Sequence, residues 1–234
     1  MNWSTTYKGD RIDVSFNGVV KGTYKLLPSP YCEVCAYPSS PGKPCRWTAT
    51  HPTFVKRIYA MGIYTPTRTK AQTGSSDYLS KDIYFMKVNP YRAEPLGLSL
   101  AACIRNRYPE LLDYDYLVAM PQHPDELHEN EHTGELFNHI DPLAWWLSSD
   151  IKLKVISPID KRRPQSMQKL GYRERREATD GLYACNSDVV AGRRILLVDD
   201  VATTGSNLDR CAEALLGRRA KEVSAIVCGK EFFG

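Results

Sequence analysis

Long apolar runs are missing from this 234-residue chain: even LAACI and ILLV are short and flanked by charge, far below the roughly 20 residues a membrane-crossing helix needs. No membrane insertion is expected. Residues Met1, Asn2, Trp3 and Ser4 lead into no apolar stretch, so a cleaved secretory leader is not expected either. Seven cysteines, an odd number in a chain of this length, argue against a secreted disulfide scaffold and for a reducing, cytoplasmic compartment. Strong charge of one sign is also lacking. A net charge of +4 and a pI near 8.6 suit small anions or nucleic acid and specify neither. Neither a Walker A pattern nor G-x-G-x-x-G occurs, which leaves a P-loop or dinucleotide site without support, and no internal repeat is found.

What is there belongs to a globular protein, 42% hydrophobic and 25% charged, with room for one sizeable core and a small appendage. RIDVSF and VVKGTYKLL flank Asn17-Gly18, a dipeptide that tolerates the positive φ angles of a tight turn, so residues 10–27 read as a β-hairpin. Residues 28–52 change to Pro, Ser, Gly and Cys, an irregular knob ordered by something other than a core. RIYAMGIY (57–64) reads as a strand, and the polar stretch 65–76 as a loop. Pro95 suits a first helical turn, with Leu96, Leu100, Cys103 and Ile104 on one stripe of a helix running to about Arg107. YLVAM, KVISPI, ILLV and VSAIVC are near-continuous apolar runs separated by segments of helical character, the pattern of parallel strands buried on both faces. The expected class is α/β, a mainly parallel sheet flanked by helices. A hairpin-and-knob region (1–54) precedes the main domain (55–234).

Chemistry concentrates in ILLVDDVATTGSN, residues 195–207. ILLV predicts a buried strand with Asp199 and Asp200 at its carboxyl end, followed by a turn over Val201–Gly205 and a helix from Ser206. Leu208, Cys211, Ala212 and Leu215 give that helix its stripe, Ser206 and Asp209 a capping pair, and Gly217 a stop. The N–H groups of Thr203–Asn207 then converge at a helix N-terminus, where partial positive charge favours a phosphate. Two adjacent carboxylates at a strand tip repel each other unless ribose hydroxyls or Mg²⁺ share their charge.

Four apolar residues, two acids and Thr-Thr-Gly-Ser resemble the phosphoribosyl pyrophosphate motif of type I phosphoribosyltransferases. The resemblance implies that fold, with Asp199 and Asp200 holding the ribose hydroxyls and acting catalytically. It implies that Ala202, Thr203, Thr204, Gly205, Ser206 and Asn207 cradle the 5′-phosphate. It also implies Mg²⁺ and a pyrophosphate loop at YLVAMPQHP, with Pro121, Gln122 and His123 at its mouth. RIYAMGIY, LSKDIYFMKVNPYRAEPLGLSLA, DYLVAMPQHPDEL and SMQKLGYRERREATDGLYA follow the order of ComF-like competence proteins, including Leu170, Arg175, Gly181 and Tyr183. Lys87 matches a lysine of that group and reads equally as a solvated surface charge.

That group carries a four-cysteine zinc ribbon near its N-terminus. Here Cys32-x-x-Cys35 and Cys45 have no fourth cysteine nearby, and His51 completes a candidate Cys₃His set for Zn²⁺; the alternative is a remnant ribbon with inert thiols. Cys103, Cys185, Cys211 and Cys228 sit in apolar contexts and read as packing residues.

Two departures stand out. HENEHTGELFNH replaces an arginine-rich stretch, keeping Phe137 and Asn138, and Ala178 stands where the pattern has Asn. Residues 123–141 hold six acids and no Lys or Arg, whereas residues 160–176 hold seven basic residues against two acids, so the segments are expected to attract each other or the second to bind an anion. Arg162, Arg163 and Arg173 become candidates to neutralise pyrophosphate. His128 and His132, spaced i, i+4, could share a metal on a helix face; a solvated polar loop is the reading adopted. Three functional readings stay open: transfer of ribose 5-phosphate to an unidentified acceptor, single-stranded DNA handling in natural transformation with Tyr172, Tyr91 and Trp47 available for stacking, or a non-catalytic phosphoribosyl pyrophosphate sensor. A homo-oligomer is compatible with each.

Overall fold

The computed structural model describes residues 2–39, 43–46, 48, 51–66, 77–164 and 179–232. The expected hairpin is present as β2 (Arg11–Phe16) and β3 (Val19–Lys25), turning through Asn17 and Gly18 at φ 50° and 78°. A third strand, β1 (Trp3–Tyr7), pairs antiparallel with β2; WSTTY has too little apolar alternation to announce it. Ile12, Val14 and Tyr24 are buried in one cluster with Leu79, Ile83, Leu96 and Leu100, so this sheet shares a core with the helices that follow.

β4 (Ile58–Tyr64) leads to two helices, α1 (Tyr78–Met86) and α2 (Ala93–Arg107). α1 was not expected from the sequence, though Leu79, Ile83 and Met86 form its buried stripe and Asp77 caps it by accepting a bond from the Ser80 N–H at 2.8 Å. α2 follows expectation, with Leu96, Leu100, Cys103 and Ile104 all fully buried. After β5 (Tyr116–Ala119), the acidic segment folds as a small antiparallel pair, β6 (His128–Glu129) and β7 (Leu136–Phe137), before α3 (Ile140–Ile151). No helix carries His128 and His132, so their i, i+4 spacing has no structural counterpart.

KVISPI does not form one strand. Lys154–Val155 (β8) joins the central sheet beside β5, whereas Ile159–Lys161 (β9) pairs antiparallel with Tyr183–Cys185 (β10). Pro158 between them has no N–H to continue a ladder. The chain then runs through β11 (Arg194–Ala202), α4 (Ser206–Gly217) and β12 (Glu222–Glu231).

The central sheet has the order β4-β12-β11-β5-β8 and every pairing in it is parallel. Alternation sends Leu196, Val198, Ile226 and Cys228 into the core with α1, α2 and α3, and Ile195, Leu197, Ala225 and Val227 into the core with α4, β9 and β10. This is the three-layer α/β arrangement expected, and it brings the carboxyl ends of β5, β11 and β12 to one edge, where open α/β sheets form their crevices. Among the described residues no helix is long and apolar enough to cross a membrane.

Candidate functional site

β11 extends four residues beyond ILLV, so Asp199 and Asp200 lie within the strand rather than after it. Alternation points them to opposite faces, and their surroundings differ accordingly. Asp199 lines a cavity of about 110 Å³ with Val201–Leu208. Burial pushes its carboxyl well above the usual range, and the charge of Asp200 adds to the push. Asp200, 7% exposed, meets the Lys87 ammonium at 3.0 Å and His139 Nε2 at 3.2 Å through Oδ2, while its Oδ1 accepts from the Val201 N–H at 2.6 Å. Burial acts on this carboxyl too, yet Lys87 and His139 outweigh it and hold the group well below the usual range.

The sequence leaves Lys87 open between a ligand contact and a solvated surface charge and gives His139 no role of its own. Both belong to this cluster, Lys87 just after α1 and the buried His139 immediately before α3. The ring of His128 packs edge-on against His139, with centroids 4.6 Å apart and planes at 82°. Burial, then the neighbouring His139 and Lys87, lowers the His128 pKa to about 4. No local pattern signals these contacts.

The turn after β11 also departs from expectation in detail. Gly205, at φ 79°, is the N-cap of α4, and Ser206 and Asp209 form no capping pair. Thr204 Oγ1 accepts from the Ser206 N–H at 3.3 Å. Asp209 instead accepts from the N–H groups of Phe54 and Val55, at 2.6 and 3.0 Å; a buried carboxylate near a helix N-terminus is held there by whichever donors lie closest. The first turn of α4 leaves its leading N–H groups without intrahelical acceptors, and the same residues line the cavity. A Cβ on Gly205 would sit 2.6 Å from Ile58 Cδ1. Gly205→Ala is expected to destabilise the protein by about 1–2 kcal/mol from the left-handed conformation alone, measured as a lower Tm by calorimetry.

The loop after β5 begins at Met120, whose N–H donates to Val198 O at 3.0 Å, and so lies beside β11. Pro121 and Gln122 line a cavity of about 530 Å³ shared with Phe137, Asn138 and Asp141. His123 serves the loop itself: its ring accepts from the Asp125 N–H at 3.2 Å, and its N–H donates to Glu126 at 3.1 Å. Glu126 also pairs with Lys161 at 2.5 Å, one attraction between the acidic and basic segments. Arg162 is exposed after β9, and the Arg163 guanidinium donates to Asp180 O at 3.0 Å. Arg173, with Lys169, Leu170, Tyr172, Arg175, Arg176 and Ala178, lies outside the described residues, as does Trp47.

The chain's residues suit Mg²⁺ at this edge in one respect that can be read directly. Gln122 Oε1, in the loop after β5, and Asn207 Oδ1, in the first turn of α4, are buried without a hydrogen-bond partner, and burial together with the charge of Asp200 disfavours the Asp199 carboxylate. Metal-bound water or ligand hydroxyls would satisfy all three.

In the knob, the ligand atoms of Cys32, Cys35, Cys45 and His51 all lie within 4.8 Å of one another. Cys32 Sγ is 3.3 Å from His51 Nε2 and Cys35 Sγ is 3.7 Å from Cys45 Sγ. A tetrahedron with bonds of about 2.3 Å has edges of about 3.8 Å, so this set fits Zn²⁺. Burial pushes the Cys35 thiol up to about 12, the backbone N–H of Tyr37 opposes it, and neighbouring Cys32 and Cys45 add to the rise; a bound dication would reverse that. Cys103, Cys185, Cys211 and Cys228 are buried in the core, as expected.

Residues 150–230, from the end of α3 into β12, match the family model described as the phosphoribosyl transferase domain. No curated protein matches the chain. Similar solved structures include a hypoxanthine phosphoribosyltransferase from Staphylococcus aureus, at 12% identity and a TM-score of 0.35, with 65% of this chain and 73% of that chain covered. The HGPRT-ase of Leishmania tarentolae in complex with GMP is 14% identical with a TM-score of 0.32, covering 60% and 67%. The allosteric regulatory enzyme of purine biosynthesis is 14% identical with a TM-score of 0.35 over 58% of this chain, which spans a quarter of that enzyme's length, 25%.

Proposed function

We propose that the chain is a type I phosphoribosyltransferase that binds phosphoribosyl pyrophosphate and Mg²⁺ at the ends of β5 and β11 and transfers ribose 5-phosphate to an acceptor, releasing pyrophosphate. The observation that carries this reading is Asp199 opening into the cavity formed by Thr203–Asn207, within the span that matches the phosphoribosyl transferase domain. The 5′-phosphate accepts from the first-turn N–H groups of α4 and from the Thr204 and Ser206 hydroxyls, the Thr203 hydroxyl donating instead to Glu231 at 3.1 Å. Asp199 accepts from a ribose hydroxyl and its charge stabilises the electron-poor ribose as the pyrophosphate departs. Asp200, tied to Lys87 and His139, holds the strand tip and the Lys87 ammonium in place beside it. Bound Mg²⁺ supplies positive charge against the leaving group. The reading includes Zn²⁺ in the knob, a branch resembling the ComF-like proteins, and a reducing cytoplasmic setting suited to free thiols.

Tyr91, one of the residues available for stacking on single-stranded DNA, is 71% exposed. It packs against His132, which neighbours Glu131 at 3.4 Å, and such acidic surroundings repel a phosphate backbone. Phosphoribosyl pyrophosphate with Mg²⁺ at 100 times its Kd is expected to stabilise the protein by about 2.7 kcal/mol, seen as a rise in Tm by scanning fluorimetry. An unchanged Tm across a millimolar titration would remove the reading.

A further inference from the structure

The Cys₃His knob touches the candidate phosphate turn at several independent points. Lys230 is 3% exposed at the end of β12, and its ammonium donates to the Thr203 carbonyl inside the turn. Burial pushes the Lys230 pKa down to about 8, and the charges of Cys35, Glu231 and Cys45 act in the other direction. Pro52, directly after His51, reaches within 3.9 Å of the Cβ position of Gly205. Phe54 and Val55, three and four residues beyond His51, donate their N–H groups to Asp209 in the first turn of α4. The Ile58 N–H donates to Val34 O within the Cys32–Cys35 knuckle at 2.8 Å, while the Ile58 side chain is the one against Gly205. Tyr37 meets Phe232 ring edge to face, with centroids 5.0 Å apart.

We propose that the knob is a wall of the phosphate turn, that Zn²⁺ in it sets the turn's affinity for phosphate, and that Lys230 is the positioning residue joining the two. The proposal rests on the reading of Thr203–Asn207 as a phosphate site. A Zn²⁺ ion held by three thiolates and a neutral imidazole carries one net negative charge. Lys230 is a buried cation whose charge Cys35 and Cys45 favour together with Glu231, and an ammonium offset in this way is held in register to donate to Thr203 O. His51 and Cys45, drawn together by the ion, fix Pro52 and the Phe54–Val55 N–H groups against Gly205 and Asp209. Without the ion those segments lose their anchor, and the turn must be ordered by the phosphate itself. Ordering at the moment of binding reduces affinity.

Linkage makes the effect reciprocal: if zinc tightens phosphate binding, phosphate tightens zinc binding by the same factor. The full-length protein is titrated calorimetrically with ribose 5-phosphate, zinc-loaded and after chelation, and zinc affinity is measured by chelator competition with and without saturating ribose 5-phosphate. Stripping is expected to weaken ribose 5-phosphate binding about tenfold, within the usual span of such couplings, and ribose 5-phosphate to tighten zinc about tenfold. Lys230→Met, zinc-loaded and folded by circular dichroism, is expected to bind ribose 5-phosphate as weakly as the stripped parent and to lose the reciprocal effect on zinc. That variant decides the matter even if chelation unfolds the knob. Equal affinity in loaded and stripped protein, or full coupling in Lys230→Met, overturns the proposal while leaving the phosphate site intact. Failure of the zinc-loaded parent to bind ribose 5-phosphate at all overturns the site reading and this inference together.

Discussion

Asp199→Asn is expected to raise the Tm of the ligand-free protein by about 2–4 °C, the equivalent of roughly 1 kcal/mol in a domain of this size, and Asp200→Asn to lower it. The two carboxylates are sequence neighbours with opposite electrostatics. Asp199 is held against burial and a second negative charge, so ionising it works against the fold. Its folded-state pKa is raised, so stability is fully present below the unfolded value near 3.9 and is lost as pH rises through the folded value. The gain from Asn should therefore be absent in acid and complete only above the raised folded value. Asp200 has a depressed pKa, so its contribution is present above about pH 4 and is lost as pH falls through the folded value. Removing its charge leaves Lys87 and His139 facing a neutral amide. Because the Lys87 side chain is 36% exposed, the loss is expected at about 2 kcal/mol rather than the 3–5 of a fully buried pair. Thermal melts from pH 3 to pH 8 test both: Asp199→Asn converges on the parent in acid, whereas the deficit of Asp200→Asn only begins to shrink as pH falls below about 4. Phosphoribosyl pyrophosphate with Mg²⁺ should stabilise the parent but not Asp199→Asn. A fall in Tm for both variants at pH 7 would show that Asp199 is not the strained member of the pair.

Loss of the metal should have the larger effect. Four ligand atoms within 4.8 Å of one another fit Zn²⁺, and an ion present at about 1,000 times its Kd contributes ~4 kcal/mol, or roughly 8–16 °C in Tm. Elemental analysis of protein purified without chelator is expected to find near-stoichiometric zinc. Cys32→Ser should lose it, with a fall in Tm that added zinc does not restore. Zinc-free protein whose Tm is indifferent to Cys32→Ser would make the knob a remnant ribbon with inert thiols. Because Val55 and Ala36 share a buried cluster with Leu208 and Ala212, damage to the knob should reach the main core.

The parts of the fold that could be read in advance are those whose pattern is local. ILLVDDVATTGSN announces a strand, a turn and a helix because apolar run, glycine and i, i+3, i+4 stripe each reflect the backbone they occupy. Asn17-Gly18 announces its hairpin for the same reason. α1 was missed although Leu79, Ile83 and Met86 were there to see, since nine residues between polar stretches give a short and ambiguous period. KVISPI reads as one strand because its apolar run conceals the break at Pro158.

By itself the sequence determined that this is an α/β protein with parallel strands, that a turn and a helix N-terminus follow the strand carrying Asp199 and Asp200, and that three cysteines and a histidine cluster near the N-terminus. Only the tertiary structure decided which carboxylate faces the cavity, that Lys87 and His139 close on Asp200, and that the knob lies against the turn. Those partners stand 113 and 61 residues from Asp200, and Lys230 stands 27 residues from Thr203. Contacts of that kind depend on strand order and on which face each helix covers, and a local run of side chains encodes neither.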